Sequence, residues 1–151
     1  MRELRAGKLA LSFIFIFFAA RSGFCSGVDS EGWKSLQEGL YIHEKSLSRP
    51  ADGTISLWVK IVPEEGSAMM YEARNHLIQD GKVYQALKYE YTGLLSEIDC
   101  SRKRHRELIT IMYDVNKNIV HSEDTLSAHW MDIPNESSLD LVLTAVCNQS
   151  T

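Results

Sequence analysis

In the stretch TISLWVKIV at positions 54–62, aliphatic side chains alternate with polar, aromatic and charged ones. Branched aliphatic residues occupy every second position, and the positions between them hold Thr54, Ser56, Trp58 and Lys60. Because successive side chains of a strand point to opposite faces of a sheet, this pattern predicts a half-buried β-strand. Trp58 then lies on the face opposite the aliphatic residues, where it is either covered by the neighbouring insertion or exposed.

Several other stretches also have the composition of strands. Short apolar stretches bounded by turn formers occur at 32–36 and 39–43, and further ones at 91–100, 106–113 and 119–122. Residues 50–53 contain Pro and Gly at turn positions. The run DVNKN at 114–118 predicts a hairpin turn, because Asn and Asp tolerate left-handed backbone conformations. Together these stretches predict an antiparallel sheet.

Two segments predict helices. Ser67 can cap a helix that runs to about Gln79, where Asp80 and Gly81 would end it, and a further short helical segment follows. Residues 67–88 are therefore predicted to form a helical insertion between strands. The last helix follows Pro134, with Asn135 or Ser137 as its N-cap. Its apolar stripe is predicted to face the sheet, and the stripe consists of Leu139, Val142, Leu143 and Val146.

Residues 1–25 have the pattern of a signal peptide. A basic stretch at 1–8 precedes the run 9–20, in which only Ser12 is not apolar. At about 1.5 Å per residue this run spans roughly 18 Å, which is too short for the ~30 Å core of a bilayer, so no transmembrane span is predicted. Small residues allow cleavage at several points after Ala20. We expect a short linker at 26–31 and one domain at 32–151.

Cys25 has three possible fates: removal with the signal peptide, attachment of a lipid anchor as in bacterial lipoproteins, or survival as a free thiol. Lipoprotein processing needs a small residue immediately before the cut, and Phe24 occupies that position. Removal with the signal peptide is the interpretation that we favour.

Two cysteines, Cys100 and Cys147, lie beyond the signal peptide. In an oxidising compartment, two thiols in a small domain usually pair. Cys100 ends a predicted strand and Cys147 ends the predicted last helix, so a disulfide between them would tie that helix to the sheet. The predicted fold class is α+β, with an antiparallel sheet, a disulfide-tethered C-terminal helix and a helical insertion.

Removal of the signal peptide leaves about 125 residues, which is enough for one domain. The full chain has a formal net charge of −4, and the signal peptide carries more bases than acids, so the remaining chain is more acidic still. Such a chain is a poor candidate for non-specific nucleic-acid binding, and export separates it from intracellular nucleic acid.

The only dense basic run, RKRHR at 102–106, is a candidate binding surface for phosphates, sulfated glycans or lipid head groups. Its cations are Arg102, Lys103, Arg104 and Arg106. The alternative is a solvated turn between two strands, with the arginines spread over the sheet edge. Trp58 is the other candidate, because tryptophan is enriched at binding hot spots. The alternative for Trp58, as for Trp33 and Trp130, is core packing.

No catalytic or metal-binding pattern is present in the sequence. The five histidines lack the close pairing of a zinc site: they are His43, His76, His105, His121 and His129. His121 and His129 would meet only if the chain between them folded back. Neither a Gly-x-Ser-x-Gly elbow nor a Gly-rich phosphate loop occurs. We therefore predict no enzyme activity, no metal and no cofactor.

The order of landmarks along the chain resembles a known family. These landmarks are Trp33, Tyr41, SLSR at 46–49, WVK at 58–60, EIDC at 97–100, RHR at 104–106, Tyr113, Trp130 and Cys147. In this order, from about residue 33 to residue 147, the chain resembles the surface-adhesin protein E-like domain of Gram-negative bacteria. The resemblance implies an antiparallel sheet with a disulfide-held C-terminal helix. The family's best-known member is an adhesin that binds host matrix proteins.

The predicted function is that of an exported, non-enzymatic binding module in the periplasm or on the outer surface of a Gram-negative bacterium. Its partner would be a protein or an extracellular polymer, recognised by the exposed face of the sheet. The alternative is a structural periplasmic or envelope subunit that binds another bacterial protein. An exposed strand edge also favours a homodimer. Any recognition surface on the 67–88 insertion would be peculiar to this protein.

Overall fold

The computed structural model describes residues 32–51, 53–125 and 128–148. The predicted signal peptide, the linker and Cys25 lie outside the described residues. Within the described ranges, four strands precede two α-helices, four more strands follow, and a last α-helix ends the domain; the strands belong to one sheet. No helix in these ranges is both long enough and apolar enough to cross a membrane.

The sheet is antiparallel and contains eight strands in the described part of the chain. The strands are β1 (Trp33–Gln37), β2 (Leu40–His43), β3 (Ser48–Ala51), β4 (Thr54–Ile61), β5 (Tyr89–Asp99), β6 (Arg104–Asp114), β7 (Ile119–Asp124) and β8 (Met131–Asp132). Their order is β1-β2-β4-β5-β6-β7, while β3 also pairs with β4 and β8 with β6.

Six of these strands match the sequence predictions to within a few residues, and two were not predicted. Every residue of β3 is exposed, and this strand includes Pro50. The two residues of β8 are likewise exposed. Because neither strand has an apolar alternation, only its hydrogen bonds to a longer neighbour identify it.

In the ranges that the structure describes, three α-helices accompany the sheet: α1 (Ala68–Gln79), α2 (Val83–Lys88) and α3 (Ser138–Cys147). The Ser67 side chain accepts a hydrogen bond from the Met70 amide at the start of α1. Ser137 does the same for the Asp140 amide at the start of α3, so Ser137 and not Asn135 is the N-cap. The predicted helical insertion between strands is confirmed, since α1 and α2 lie between β4 and β5.

The main core lies between α3 and one face of the sheet. Alternate residues of β4, namely Ile55, Leu57 and Val59, are buried there. They pack with residues of β2, β5 and α3 in one cluster that includes Ile42, Leu94, Ile98, Val142, Leu143 and Val146. The predicted stripe of α3 therefore faces the sheet, with Leu139 partly buried at its edge.

The insertion forms a second, smaller core on the same face of the sheet. Met70 and Leu77 of α1 and Ala86 of α2 pack with Tyr89 and Met112. Met112 pairs with Thr92, two residues from the buried Leu94, which places it on the face that α3 also covers. The three helices thus cover one face of the sheet between them.

Cys100 and Cys147 form a disulfide, with their Cα atoms 5.7 Å apart. Cys100 directly follows β5, and Cys147 is the last residue of α3. The bond links the end of a central strand to the helix that covers it. The predicted α+β fold with a disulfide-tethered C-terminal helix is confirmed.

Replacing Leu143 with Ala is expected to lower the free energy of unfolding by about 2 to 5 kcal/mol, because a buried leucine leaves a cavity behind. The matched control is Leu141→Ala in the same helix, since Leu141 is 42% exposed and Leu143 only 7%. The control should change stability by less than about 0.5 kcal/mol. Urea unfolding followed by tryptophan fluorescence measures both, and equal effects would contradict the docking of α3.

Candidate binding surface on the open face of the sheet

The sheet face opposite the helices carries aromatic side chains. Trp58 pairs with Leu95 across β4 and β5, and Lys60 pairs with Gly93. These positions alternate with the buried aliphatic residues of β4, so their side chains point away from the helices. Tyr91 pairs with Tyr113 and Gly93 pairs with Ile111, which extends the same face across β5 and β6. We call it the open face.

An aromatic groove of about 680 Å³ crosses the open face. The residues that line it come from strands on both sides of β4 and β5, and include Trp33, His43, Trp58, Lys60, Tyr91, Gly93, Ile111 and Tyr113. Gly93 is buried at its floor, where a Cβ atom would lie 3.5 Å from the Tyr113 ring and 3.8 Å from the Trp58 ring. The groove therefore has room at this position because the residue has no side chain.

Aromatic rings of the groove pack against neighbouring rings. Tyr91 and Tyr113 stack with centroids 4.7 Å apart and an angle of 15° between their planes. The Trp33 ring meets the His43 ring edge-on, with centroids 5.0 Å apart. Contacts of these kinds hold aromatic side chains in defined orientations. Four of the groove's side chains are thus packed in two ring pairs, Trp33 with His43 and Tyr91 with Tyr113.

Lys60 places a positive charge among these rings. Its Nζ atom lies 4.8 Å from the centroid of the Trp33 ring, 4.6 Å from that of Tyr41 and 6.0 Å from that of Tyr91. Each distance is within the range of a cation–π interaction. None of the ion pairs between described residues includes Lys60. The ammonium group is therefore held by π faces and is open to an anionic group of a ligand.

Ser46 and His43 line the groove without forming a nucleophile and base pair. The Ser46 hydroxyl donates to the carbonyl oxygen of His43 at 2.7 Å and accepts from the Trp58 amide at 2.9 Å. Both contacts are with the backbone, so the hydroxyl fixes the 3₁₀ turn Glu44–Ser46 against β4. The chemistry of this groove is suited to binding.

Arg104 and Arg106 of the basic run lie on the open face, near the start of β6, and each forms an ion pair with a carboxylate of β5. Arg106 Nε donates to Glu97 Oε2 at 2.6 Å, and Arg104 Nη2 donates to Asp99 Oδ2 at 3.3 Å. Both guanidinium groups lie over the Trp130 ring, 4.7 Å from its centroid for Arg106 and 5.5 Å for Arg104. Trp130 therefore packs on this arginine pair.

The other two cations of the run belong to the turn between β5 and β6. Arg102 has a side chain that is 71% exposed, 3.9 Å from Asp99 Oδ2. Lys103 adopts a positive φ of 50° and is exposed. The fold thus places Arg104 and Arg106 on the same face as Trp58 and leaves Arg102 and Lys103 in the adjoining turn, while carboxylates of the same chain pair with the arginines.

The sequence did not identify Lys60, Tyr91, Gly93 or Tyr113 as candidate binding residues, although Lys60 and Tyr113 are among the landmarks of the family resemblance. Lys60 was detectable in principle, because it shares its strand face with Trp58 in the 54–62 alternation. The others lie on β5 and β6, and their place beside Trp58 depends on strand register, which no local pattern reveals.

One sheet face covered by helices, one of them disulfide-tied, and one open face with an aromatic groove define a small α+β binding domain. The chain belongs to the surface-adhesin protein E family, whose sequence model matches residues 33–148. The resemblance seen in the sequence is therefore confirmed. The family is one of surface adhesins, which is not an enzyme class.

Solved structures of protein E from Haemophilus influenzae share this fold. One of them, described as crystal form II, superposes with a TM-score of 0.54 at 12% sequence identity, over 82% of this chain and 92% of that chain. Another superposes with a TM-score of 0.53 at 12% identity, over 82% and 89% of the two chains. At such identity the likeness concerns the fold alone. A search of the curated proteins finds no match.

Asp99 organises the turn that carries the basic run. Its Oδ1 atom accepts from the Ser101 hydroxyl at 2.7 Å and from the Arg102 amide at 3.0 Å. Chiefly the Ser101 hydroxyl, and then the Arg102 amide and the Arg104 side chain, lower the pKa of Asp99 from 3.8 to about 2, against the opposing effect of burial. These contacts favour the charged carboxylate.

Asp99 should therefore stabilise the fold above pH 4 and lose this effect as the pH falls towards 2, because its folded-state pKa lies below its ordinary value. Asp99→Asn is expected to lower the free energy of unfolding at pH 7 by roughly 1 kcal/mol and to flatten its decline between pH 4 and 2. Urea unfolding at a series of pH values measures both effects. Asp132→Asn, at an exposed position of β8, is the control, and an Asp99→Asn profile parallel to wild type would contradict this role.

Proposed function

We propose that this chain is an exported, adhesin-like protein whose aromatic groove binds an apolar segment of an extracellular protein. Its family and its shared fold support an adhesin-like surface protein of bacteria. The observation that carries the finer proposal is the groove itself, lined by Trp33, Trp58, Tyr91 and Tyr113 around Lys60.

The groove has the composition of a protein-binding surface. Tryptophan and tyrosine dominate binding hot spots, since they bury large areas and lose little conformational freedom. Their packing against one another in this groove means that little further ordering accompanies binding. Val62 and Ile111 add apolar lining between the rings and the charged residues Glu90, Lys60 and Lys117, which suits apolar side chains of a partner flanked by charged ones.

The groove is a stronger candidate than the basic run. Asp99 and Glu97 already pair with Arg104 and Arg106, so a polyanion would compete with carboxylates of the same chain. The Lys60 ammonium group contacts the rings of Trp33, Tyr41 and Tyr91, and no ion pair between described residues includes it, so an acidic group of the partner would bind it without displacing an ion pair. Arg102 and Lys103 then remain available for long-range attraction.

Filling the groove tests this proposal. Gly93→Val is expected to fold, because a Cβ atom at this position meets its neighbours at ordinary contact distances and valine is favoured in strands. Its methyl groups would occupy the groove floor. Binding to plates coated with animal basement-membrane matrix should weaken by about tenfold or more, as should that of Trp33→Ala. Half-saturating protein concentration is the measurement.

Leu87→Ala is the control for this experiment, since Leu87 is 73% exposed and belongs to α2 on the other side of the sheet. It should bind the matrix like the wild type. Equal binding by wild type and Gly93→Val would contradict the groove as the site. If neutralising Arg102 and Lys103 abolished binding while Gly93→Val did not, the basic run would be the binding surface.

The rival function is a structural periplasmic or envelope subunit that binds another bacterial protein. The signal pattern at 1–25 and the disulfide both support export, which either function requires. Protease treatment of intact bacterial cells should remove the chain if it is an adhesin on the outer surface. Full protection, together with a co-purifying bacterial protein, would favour the subunit. A homodimer through an edge strand, β1 or β7, stays a prediction.

A further inference from the structure

The helical insertion brings together two histidines that are 45 residues apart in sequence. His76 lies in the last turn of α1, and His121 lies on β7. Their Nε2 atoms are 3.4 Å apart, and their rings meet edge-on with centroids separated by 4.8 Å. Leu77 and Val120, the chain neighbours of these histidines, contribute to the smaller core, so the packing of α1 on the sheet fixes this contact.

The spacing of these nitrogens fits one metal ion. Zinc binds histidine nitrogen at about 2.0–2.1 Å, and two such bonds at a tetrahedral angle separate the nitrogens by about 3.4 Å. The distance between His76 Nε2 and His121 Nε2 has this value. The side chain of His121 is only 12% exposed, whereas that of His76 is 47% exposed, so an ion could enter from the His76 side.

Two carboxylates complete the surroundings of these nitrogens. Glu123 Oε2 lies 3.9 Å from His121 Nε2, and its side chain is 62% exposed and free to approach a bound ion. Asp80 Oδ2 lies 3.2 Å from His121 Nδ1 and 3.9 Å from His76 Nε2. A histidine that binds metal through one ring nitrogen usually donates the other N–H to such a carboxylate, which orients the ring.

We propose that His76, His121 and Glu123 bind a divalent transition-metal ion, with Asp80 accepting the Nδ1 hydrogen of His121. Imidazole nitrogens favour zinc, copper or nickel over calcium and magnesium, and zinc is the probe chosen here. Within the described part of the chain, one potential ligand atom each of His76, Asp80 and His121 lies within 4.8 Å of the others, and Glu123 adjoins this cluster through its 3.9 Å contact with His121 Nε2. The sequence showed none of this, because the fold alone makes His76 and His121 neighbours.

Lys82 competes with Asp80 for the Nδ1 atom of His121. Its Nζ atom lies 3.1 Å from His121 Nδ1 and 4.0 Å from Asp80 Oδ2. When Lys82 donates to Nδ1, the neutral His121 ring carries its hydrogen on Nε2, the atom that the metal requires. Metal binding therefore requires the other tautomer and moves the lysine contact from His121 to Asp80. Removal of the Lys82 charge should strengthen metal binding.

Zinc affinity of the purified full chain, measured by competition with a chromophoric chelator, tests the proposal. The wild type should bind one zinc ion, and tetrahedral cobalt absorption should appear when Co²⁺ replaces it. His76→Ala, at a half-exposed helix position, should weaken zinc binding by 100-fold or more. The matched control is His129→Ala, because His129 is also exposed and lies outside the cluster; its affinity should stay within twofold of wild type.

Two further variants separate a metal site from a polar cluster that only stabilises the fold. Asp80→Asn should weaken zinc binding by about 10- to 100-fold, as the loss of an orienting partner does elsewhere. Lys82→Met should strengthen it, an effect that a merely structural cluster does not produce. Wild-type protein that binds no zinc at millimolar concentration, or that binds it no better than His76→Ala, would overturn the proposal.

This proposal is independent of the aromatic groove. His121 pairs with Met112, on the sheet face that the helices cover, whereas Ile111 of the groove points to the open face. Gly93→Val should therefore bind zinc like the wild type. Failure of matrix binding with intact zinc binding would overturn only the groove, and the reverse result only the metal site.

Discussion

The antiparallel pairing of β4 with β5 is the constraint on which both faces of this protein depend. The two strands pair without interruption from Thr54 opposite Asp99 to Ile61 opposite Thr92. Because side chains alternate with a period of two, a slip of one residue would move Trp58 and Lys60 into the core. Ile55, Leu57 and Val59 of β4 are nearly inaccessible to solvent, so burial of their apolar surface stabilises this register relative to registers shifted by one residue.

The three α-helices of the described ranges cover one face of the sheet and leave the other face open. The disulfide from Cys100 to Cys147 fixes α3 over the main core, and α1 and α2 cover the adjoining part of the same face. The open face then carries rings that pack on one another, and none of the α-helices in the described ranges covers it. This division leaves the groove rings partly accessible to solvent, since no helix covers Trp33, Trp58, Tyr91 or Tyr113 as α3 covers the aliphatic residues of the opposite face.

Charge is distributed in a way that composition does not show. The basic run is the densest cluster of cations, yet Asp99 and Glu97 balance Arg104 and Arg106 at close range. Lys60 has no basic residue next to it in the sequence, and the fold places it against aromatic rings. For a ligand, the local partners of a cation count for more than the number of cations nearby, because displacing an ion pair opposes binding.

Six of the eight described strands, the helical insertion and the last helix were predictable from the sequence, because alternation, N-caps and turn residues act over a few neighbouring positions. The sequence also indicated the disulfide, since only Cys100 and Cys147 remain beyond the signal peptide. Tertiary structure alone decided which rings stand beside Trp58, and it alone brought His76 to His121. Those contacts join residues far apart in the chain through strand register and helix docking, and no local pattern encodes either.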